Sequence, residues 1–301
     1  MDLAKTIKAF EFKDIPPLIR RNGKLEPNPL LVGTIPYYLT LDDLGGDNVL
    51  VVPASGTASR TMSNDVVADV ELIAFMGAFT SPDCLINIRD EARKDVFMNR
   101  PIHSTTIIGQ RIFPYMLPCR IPVYKKQQLK IDVTDLSGAI NNVRFAFYGH
   151  RYYWDIKNDF YSKFPEDDDK VRMNSRPYFY TTQDDITLPA VLGATANGFM
   201  TIIEDADFFV NGINAFSSAP FAVKITNASS GNVQWSNSFI MDDAFNGTIA
   251  PATGANNFLK FPQPLCLQRR ANIKIEFRNL TAAANRIFLT LAGTHIYYER
   301  D

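Results

Sequence analysis

The sequence predicts an all-β protein built as two tandem, duplicated antiparallel β-sandwich domains of jelly-roll type, preceded by an extended N-terminal arm. Three observations predict it. Short segments alternate apolar and polar residues with period two, as a strand with one face on a core requires. Turn residues (Pro, Gly, Asn and Asp) punctuate the chain every 8 to 12 residues or so, the spacing of sandwiches and jelly rolls. The end of each half of the chain also lies over the end of the other without a gap, the mark of an internal repeat.

Residues 1–33 have no counterpart before the second copy and read as the arm. Pro16, Pro17, Pro27 and Pro29 disfavour regular structure there and favour an extended chain. Phe10, Phe12, Ile15, Leu18 and Ile19 give the arm apolar side chains to bury, and are the expected anchors on a neighbouring domain or subunit. Its basic residues are offset by Asp2, Glu11, Asp14 and Glu26, so dense phosphate binding is not expected of it.

The first sandwich is expected over 34–158 and the second over 177–301, with an acidic linker at 159–176 carrying Glu166, Asp167, Asp168 and Asp169. Each copy opens alike, with Pro36-Tyr-Tyr-Leu-Thr40 against Pro177-Tyr-Phe-Tyr-Thr181. Near the ends, Leu129-x-Ile131-x-Val133 lies over Ile273-x-Ile275-x-Phe277, and Val143, Phe145 and Phe147 over Ile287, Leu289 and Leu291. Asn141/Asn285, Gly149/Gly293 and Tyr153/Tyr297 are identical in this register. The short polar stretches between these runs make each pair either a hairpin or two strands joined across a sandwich end. No stretch holds a helical period over three turns.

Composition bounds the function. A 46% apolar and 21% charged chain is that of a globular protein, and 22 Phe with 12 Tyr suit pleated, half-buried surfaces. A formal net charge of −1 supplies no field for nucleic acid or an anionic membrane. Neither a secretory leader nor an apolar run long enough to span a bilayer is read in the sequence, so the expectation is a chain made in the cytoplasm of its host. Cys84, Cys119 and Cys266 fit no disulfide framework and no zinc spacing, and are expected to be reduced thiols.

Motifs for chemistry are scarce. There is no Walker loop, no dinucleotide fingerprint, no Gly-x-Ser-x-Gly and no His-Glu-x-x-His. Of three histidines, His150 and His295 fall at the ends of equivalent strands and are expected at a surface or between domains. The paired carboxylates Asp42-Asp43, Asp184-Asp185, Asp205 with Asp207, and Asp242-Asp243 could face each other across a glycosidase cleft, but adjacent Asp residues more often cap turns. No catalytic residue, cofactor or metal ligand is assigned, and the chain is not expected to be an enzyme. Tyr152, Trp154, Tyr161 and Trp235 are candidate aromatics for stacking on a surface glycan.

Duplicated sandwiches, an apolar Pro-rich arm and near-neutral charge together resemble the structural proteins of tailed-bacteriophage virions, across the architecture of the whole chain. The resemblance implies a non-enzymatic virion component of the head decoration, minor capsid or vertex kind. A tail or collar component, or a receptor- or carbohydrate-binding module, is the alternative, and a β-sandwich glycoside hydrolase stands behind both. Implied partners are further copies of the chain in a homo-oligomer and other virion proteins of the capsid, portal or tail.

Overall fold

The computed structural model describes residues 18–21, 24–27, 31–42, 48–64, 69–91, 96–109, 114–156, 159–161, 175–182, 185–231, 233–244 and 259–297; within these, 18–35, 152–161, 233 and 243 are described by backbone alone. The described chain is almost entirely strand. β1 (Leu18–Arg21) and β2 (Lys24–Pro27) pair as a small antiparallel hairpin, so part of the segment read as an extended arm is ordered by its own ladder. Arm residues Phe10, Phe12 and Ile15 lie outside the described residues, as does the acidic run 166–169.

The first unit runs β3 (Leu31–Thr40), β4 (Leu50–Val52), β5 (Thr57–Ser63), β6 (Val70–Phe79), β7 (Cys84–Asp90), β8 (Ile102–His103), the one-turn helix α1 (Ser104–Ile107), β9 (Tyr115–Val123), β10 (Gln128–Asp135) and β11 (Asn141–Ile156), with β12 (Asp159–Tyr161) paired to the end of β11. The second runs β13 (Ser175–Thr181), β14 (Ile186–Leu188), β15 (Thr195–Thr201), β16 (Ala206–Ser217), β17 (Phe221–Asn227), β18 (Val233–Gln234), β19 (Ile240–Met241), β20 (Leu259–Leu267), β21 (Asn272–Asn279) and β22 (Asn285–Tyr297).

Each unit folds into two antiparallel sheets with the same strand order. In the first, one sheet runs β3/β4, β11, β6, β9 and the other β5, β10, β7, β8. In the second, the orders are β13/β14, β22, β16, β20 and β15, β21, β17, β18/β19. Taken in chain order from its first long strand, each unit places strands one, eight, three and six in one sheet and two, seven, four and five in the other. That interleaving is the jelly roll, and it occurs twice. Consecutive strands β10 and β11, like β21 and β22, lie in opposite sheets, so the two runs legible near each domain's end are joined across a sandwich end.

The alternation seen in the sequence is the alternation of burial. Leu129, Ile131 and Val133 are fully buried, as are Ile273, Ile275 and Phe277, while the residues between them are more exposed. Each such side chain contributes about 1.5–3 kcal/mol by leaving water. In the first core Phe75 stacks on Phe147 with ring centres 4.2 Å apart; in the second Tyr180 meets Phe208 edge-on at 4.8 Å.

Identical residues do identical work. Asn141 Oδ1 accepts from the Thr80 and Ser81 amides (both 3.1 Å), tying the turn after β6 to the start of β11. Asn285 Oδ1 accepts from the Ala219 amide at 3.0 Å, and its Nδ2 donates to Ala219 O at 2.7 Å, tying the turn after β16 to β22. Gly149 and Gly293 face β-bulges in β6 and β16: a Cβ on Gly149 would lie 2.1 Å from Glu71 O, and one on Gly293 2.2 Å from Phe209 O. Only glycine admits that approach of two backbones.

Candidate functional site

The feature with the most specific chemistry among the described residues is the contact between the two jelly rolls. The segment Phe97–Asn99, between β7 and β8, adds to the free edge of β13. Phe179 N donates to Phe97 O (3.0 Å) and Asn99 N donates to Phe179 O (3.1 Å). The Asn99 side chain completes the match, donating to Thr181 O (3.0 Å) and accepting from Thr181 N (2.9 Å). Tyr178 and Tyr180 point into the second core, so alternation turns Phe179 outward, and there it joins the first domain's core with only 3% of its surface exposed. Ala292, its neighbour on β22, is buried in the same cluster.

The helix α1 sits on the outer face of β16 and β22. Asn214 Nδ2 donates to Thr106 O (3.1 Å), and the hydroxyls of Thr106 and Thr290 lie 2.9 Å apart. His103, at the end of β8, inserts between two rings of the second domain, 4.2 Å from Phe216 and 4.5 Å from Phe288. Its Nε2 lies 3.2 Å from Asp83 Oδ1 and its Nδ1 2.9 Å from the Thr105 hydroxyl. Arg286 of the second domain also bonds Asp83 and approaches Asp185 at 3.8 Å. The bond from His103 holds the Asp83 carboxyl below the usual carboxylate range, helped by Arg286 and opposed by burial. Burial lowers the pKa of His103 despite Asp83. A neutral imidazole donating from Nε2 to the carboxylate and accepting at Nδ1 from Thr105 fits both shifts.

Hydroxyl, imidazole and carboxylate in a row have the composition of a nucleophilic triad. The His103 side chain has 0% exposure, however, and both its faces are covered by phenyl rings. Substrate has no route to it, and the row pins the domains together.

The other histidines are buried too, where a surface or interdomain position was expected. His295 has no exposed surface, lies 3.9 Å from Tyr178 in a stacked pair, and has Nε2 3.0 Å from the Tyr180 hydroxyl. His150 is 7% exposed, and burial lowers its pKa. Tyr178, Tyr180, Phe208 and Tyr297 surround the His295 ring, and Tyr148 lies 5.5 Å from that of His150.

Of the paired carboxylates, Asp42 and Asp207 bond nearby chain. Asp42 accepts from Ser63 N (2.6 Å) and from the hydroxyls of Ser63 (2.6 Å) and Thr61 (2.5 Å), bonds that outweigh its partial burial and lower its pKa. Asp207 accepts from Arg269 N at 2.8 Å. Asp43 and Asp184 lie outside the described residues, and Asp243 is described by backbone alone. Among the described residues no group of three His, Cys, Asp or Glu side chains is placed to hold a metal ion. Cys84 is buried, Cys119 half-buried and Cys266 exposed, all three as free thiols. No described helix is long and apolar enough to cross a membrane.

Of the aromatics read as ligand-stacking candidates, Tyr152, Trp154 and Tyr161 are described by backbone alone, in β11 and β12. Trp235 is half-buried and meets Phe261 edge-on at 6.3 Å. Both line a cavity of about 730 Å³ at one edge of the second jelly roll, with Ile225, Leu259 and Leu265. Leu18 and Ile19 of the arm fall in β1, again as backbone alone. The interdomain pin leaves no mark in the sequence, because His103, Asp83 and Arg286 are far apart in the chain and no motif links them.

No protein-family model and no curated protein matches the sequence. Among solved structures the chain is similar to a protein from work on a triple jelly roll fold and turret assembly in an archaeal virus (TM-score 0.22, 12% identity, 84% of this chain and 60% of that one). It is similar to chains of the infectious bursal disease virus Gx strain (0.26, 12%, 88% and 71%) and of that virus's VP2 subviral particle (0.25, 12%, 90% and 74%). It thus spans about 60% of the archaeal-virus chain. Likenesses this distant carry no argument about function, and the jelly-roll assignment rests on the strand order of the chain itself.

Proposed function

We propose that the chain is a non-enzymatic structural subunit of a viral particle, which assembles through its domain faces and its N-terminal segment. The observation that supports this most is the doubled jelly roll itself: two copies of one fold are joined by a surface-to-surface contact of backbone pairing, aromatic rings and one ion pair. Jelly rolls serve both as capsid and as lectin domains, so the fold alone leaves the choice open. A chain that presents two similar faces can meet two similar neighbours, which suits a repeating shell. Within that reading, a head decoration, minor capsid or vertex protein of a tailed bacteriophage is the specific form the sequence resemblance suggests.

The test is the solution mass of the purified chain, by light scattering after size exclusion, with and without residues 1–29. A discrete oligomer that falls to monomers on truncation is expected, with Phe10, Phe12, Ile15, Leu18 and Ile19 as the anchors lost. An oligomer unchanged by truncation removes the arm from the mechanism. A monomer in both forms, up to about millimolar concentration, overturns the assembly reading. It would give the lead to a glycan- or receptor-binding module, which the position of Trp235 in an open apolar cavity favours.

A further inference from the structure

The two jelly rolls are alike in fold and unlike in what covers them. Phe179 is 3% exposed because the first domain lies on it; Tyr38, its counterpart in the repeat, is 56% exposed. The match is residue for residue, since Phe179 pairs with Ala292 on β22 and Tyr38 with Tyr148 on β11. Leu39, like Tyr180, points into its own core, so Tyr38 is turned outward on the face that corresponds to the covered one. The first domain therefore carries a copy of the receiving face, on which Tyr38 stands exposed.

The donating face is duplicated as well. β9 packs against β13 and β22 of the second domain. Its counterpart β20 spans the same length of the repeat, and every residue from Pro262 to Cys266 is exposed. Phe97, which begins the bridging segment, donates its amide to Ile88 O at 3.2 Å; in the second domain Trp235 donates to Ile225 O at 2.9 Å. This equivalence sets Trp235-Ser236-Asn237 over Phe97-Met98-Asn99. It puts an exposed asparagine, Asn237, where Asn99 clasps the backbone of Thr181. The repeat counterpart of Thr181 is Thr40.

We infer that the contact between copies of this chain repeats the contact inside it. β20 and the Trp235–Asn237 segment of one copy pack on the β3–β11 face of the next, with Asn237 bonded to the backbone of Thr40 and Tyr38 covered. This rests on the assembly reading above and names its interface and its partner, a second copy. The contact is head to tail, because one chain's second domain meets another's first. Such contacts close into a ring or run on as a filament, according to the rotation they impose. β20 is a natural donor, since an uncovered edge strand offers unpaired backbone groups to a neighbour.

The experiment uses the full chain and two variants. Asn237→Arg with Gln263→Arg damages only the donating face, and Tyr38→Arg only the receiving face; all three positions are exposed, so the monomer is expected to fold. By light scattering each variant alone is monomeric, its association weakened by about a hundredfold or more through burial of an unpaired charge. Mixed in equal amounts, the variants form a dimer, because one intact donating face still meets one intact receiving face. Circular dichroism and the melting temperature confirm that each variant is folded. An oligomer that survives in either variant, or variants that stay monomeric when mixed, overturns this interface while assembly itself stands. A wild-type chain that is monomeric removes the assembly reading and this interface with it.

Discussion

His295 lies inside the second jelly roll, bonded to the Tyr180 hydroxyl and stacked on Tyr178, and burial carries its pKa down from 6.5 to about 3. His103 and His150 are lowered in the same direction, also by burial first. Each is neutral when folded and takes up a proton more readily when unfolded. Between pH 6.5 and the folded value the unfolded chain therefore binds more protons, and stability falls as pH falls. The slope is about 1.4 kcal/mol per pH unit for each such histidine. Asp42, Asp83 and Asp135, whose folded pKa values lie below 3.8, add their own loss only at more acid pH. Urea unfolding at about pH 7, 6 and 5 should show stability dropping through a window that belongs to the histidines. In His295→Asn, already weaker at pH 7, that slope should shrink by one histidine's share. A slope identical to wild type would mean that His295 is protonated in the folded chain.

Strands and turns tell the same story at the next scale. The period-two runs near each domain's end became β10, β11, β21 and β22, because alternation directly states which face is buried. Gly149 and Gly293, identical in the repeat, mark the places where β11 and β22 pass over the bulges in β6 and β16. Replacing either by alanine drives a Cβ into a backbone carbonyl near 2 Å. A cost of about 3 kcal/mol or more is expected, as for other overpacked sites, and should appear as a lower midpoint in thermal unfolding. Alanine at Gly193, where nothing lies within 4 Å but φ is +81°, should cost less, by backbone strain alone. Equal losses at the two kinds of site would contradict the steric account. Other elements were hidden from the sequence. β6 and β16 are equivalent in the fold, yet no residue of one is identical to its counterpart in the other, because a core strand needs apolar residues of fitting volume rather than particular ones. The hairpin of β1 and β2 is illegible in the sequence because prolines disfavour regular structure, yet Pro27 closes the ladder at one end, where a strand tolerates it.

At the scale of the molecule, the two domains are coupled through groups that no local pattern foretells. A lone histidine carries little information in a sequence, and His103 acquires its role only when β8 delivers it between Phe216 and Phe288. Among the described residues, the polar part of the contact is one histidine–carboxylate–arginine row, the backbone and asparagine bonds of Phe97–Asn99 to β13, the Asn214–Thr106 bond and one threonine pair. Domain contacts within a chain often resemble transient interfaces, so coupling of this kind can be lost by one substitution. His103→Ala removes the ring between two phenyl rings and leaves Asp83 with Arg286 alone. The expected cost is about 2–4 kcal/mol, falling on the coupling between domains rather than on either core. Calorimetry of the wild-type chain should then show one transition in which both jelly rolls melt together, and the variant should show two. If the variant still melts in one transition at an unchanged temperature, the backbone pairing of Phe97–Asn99 with β13 is sufficient to couple the domains, and the histidine row is only its ornament.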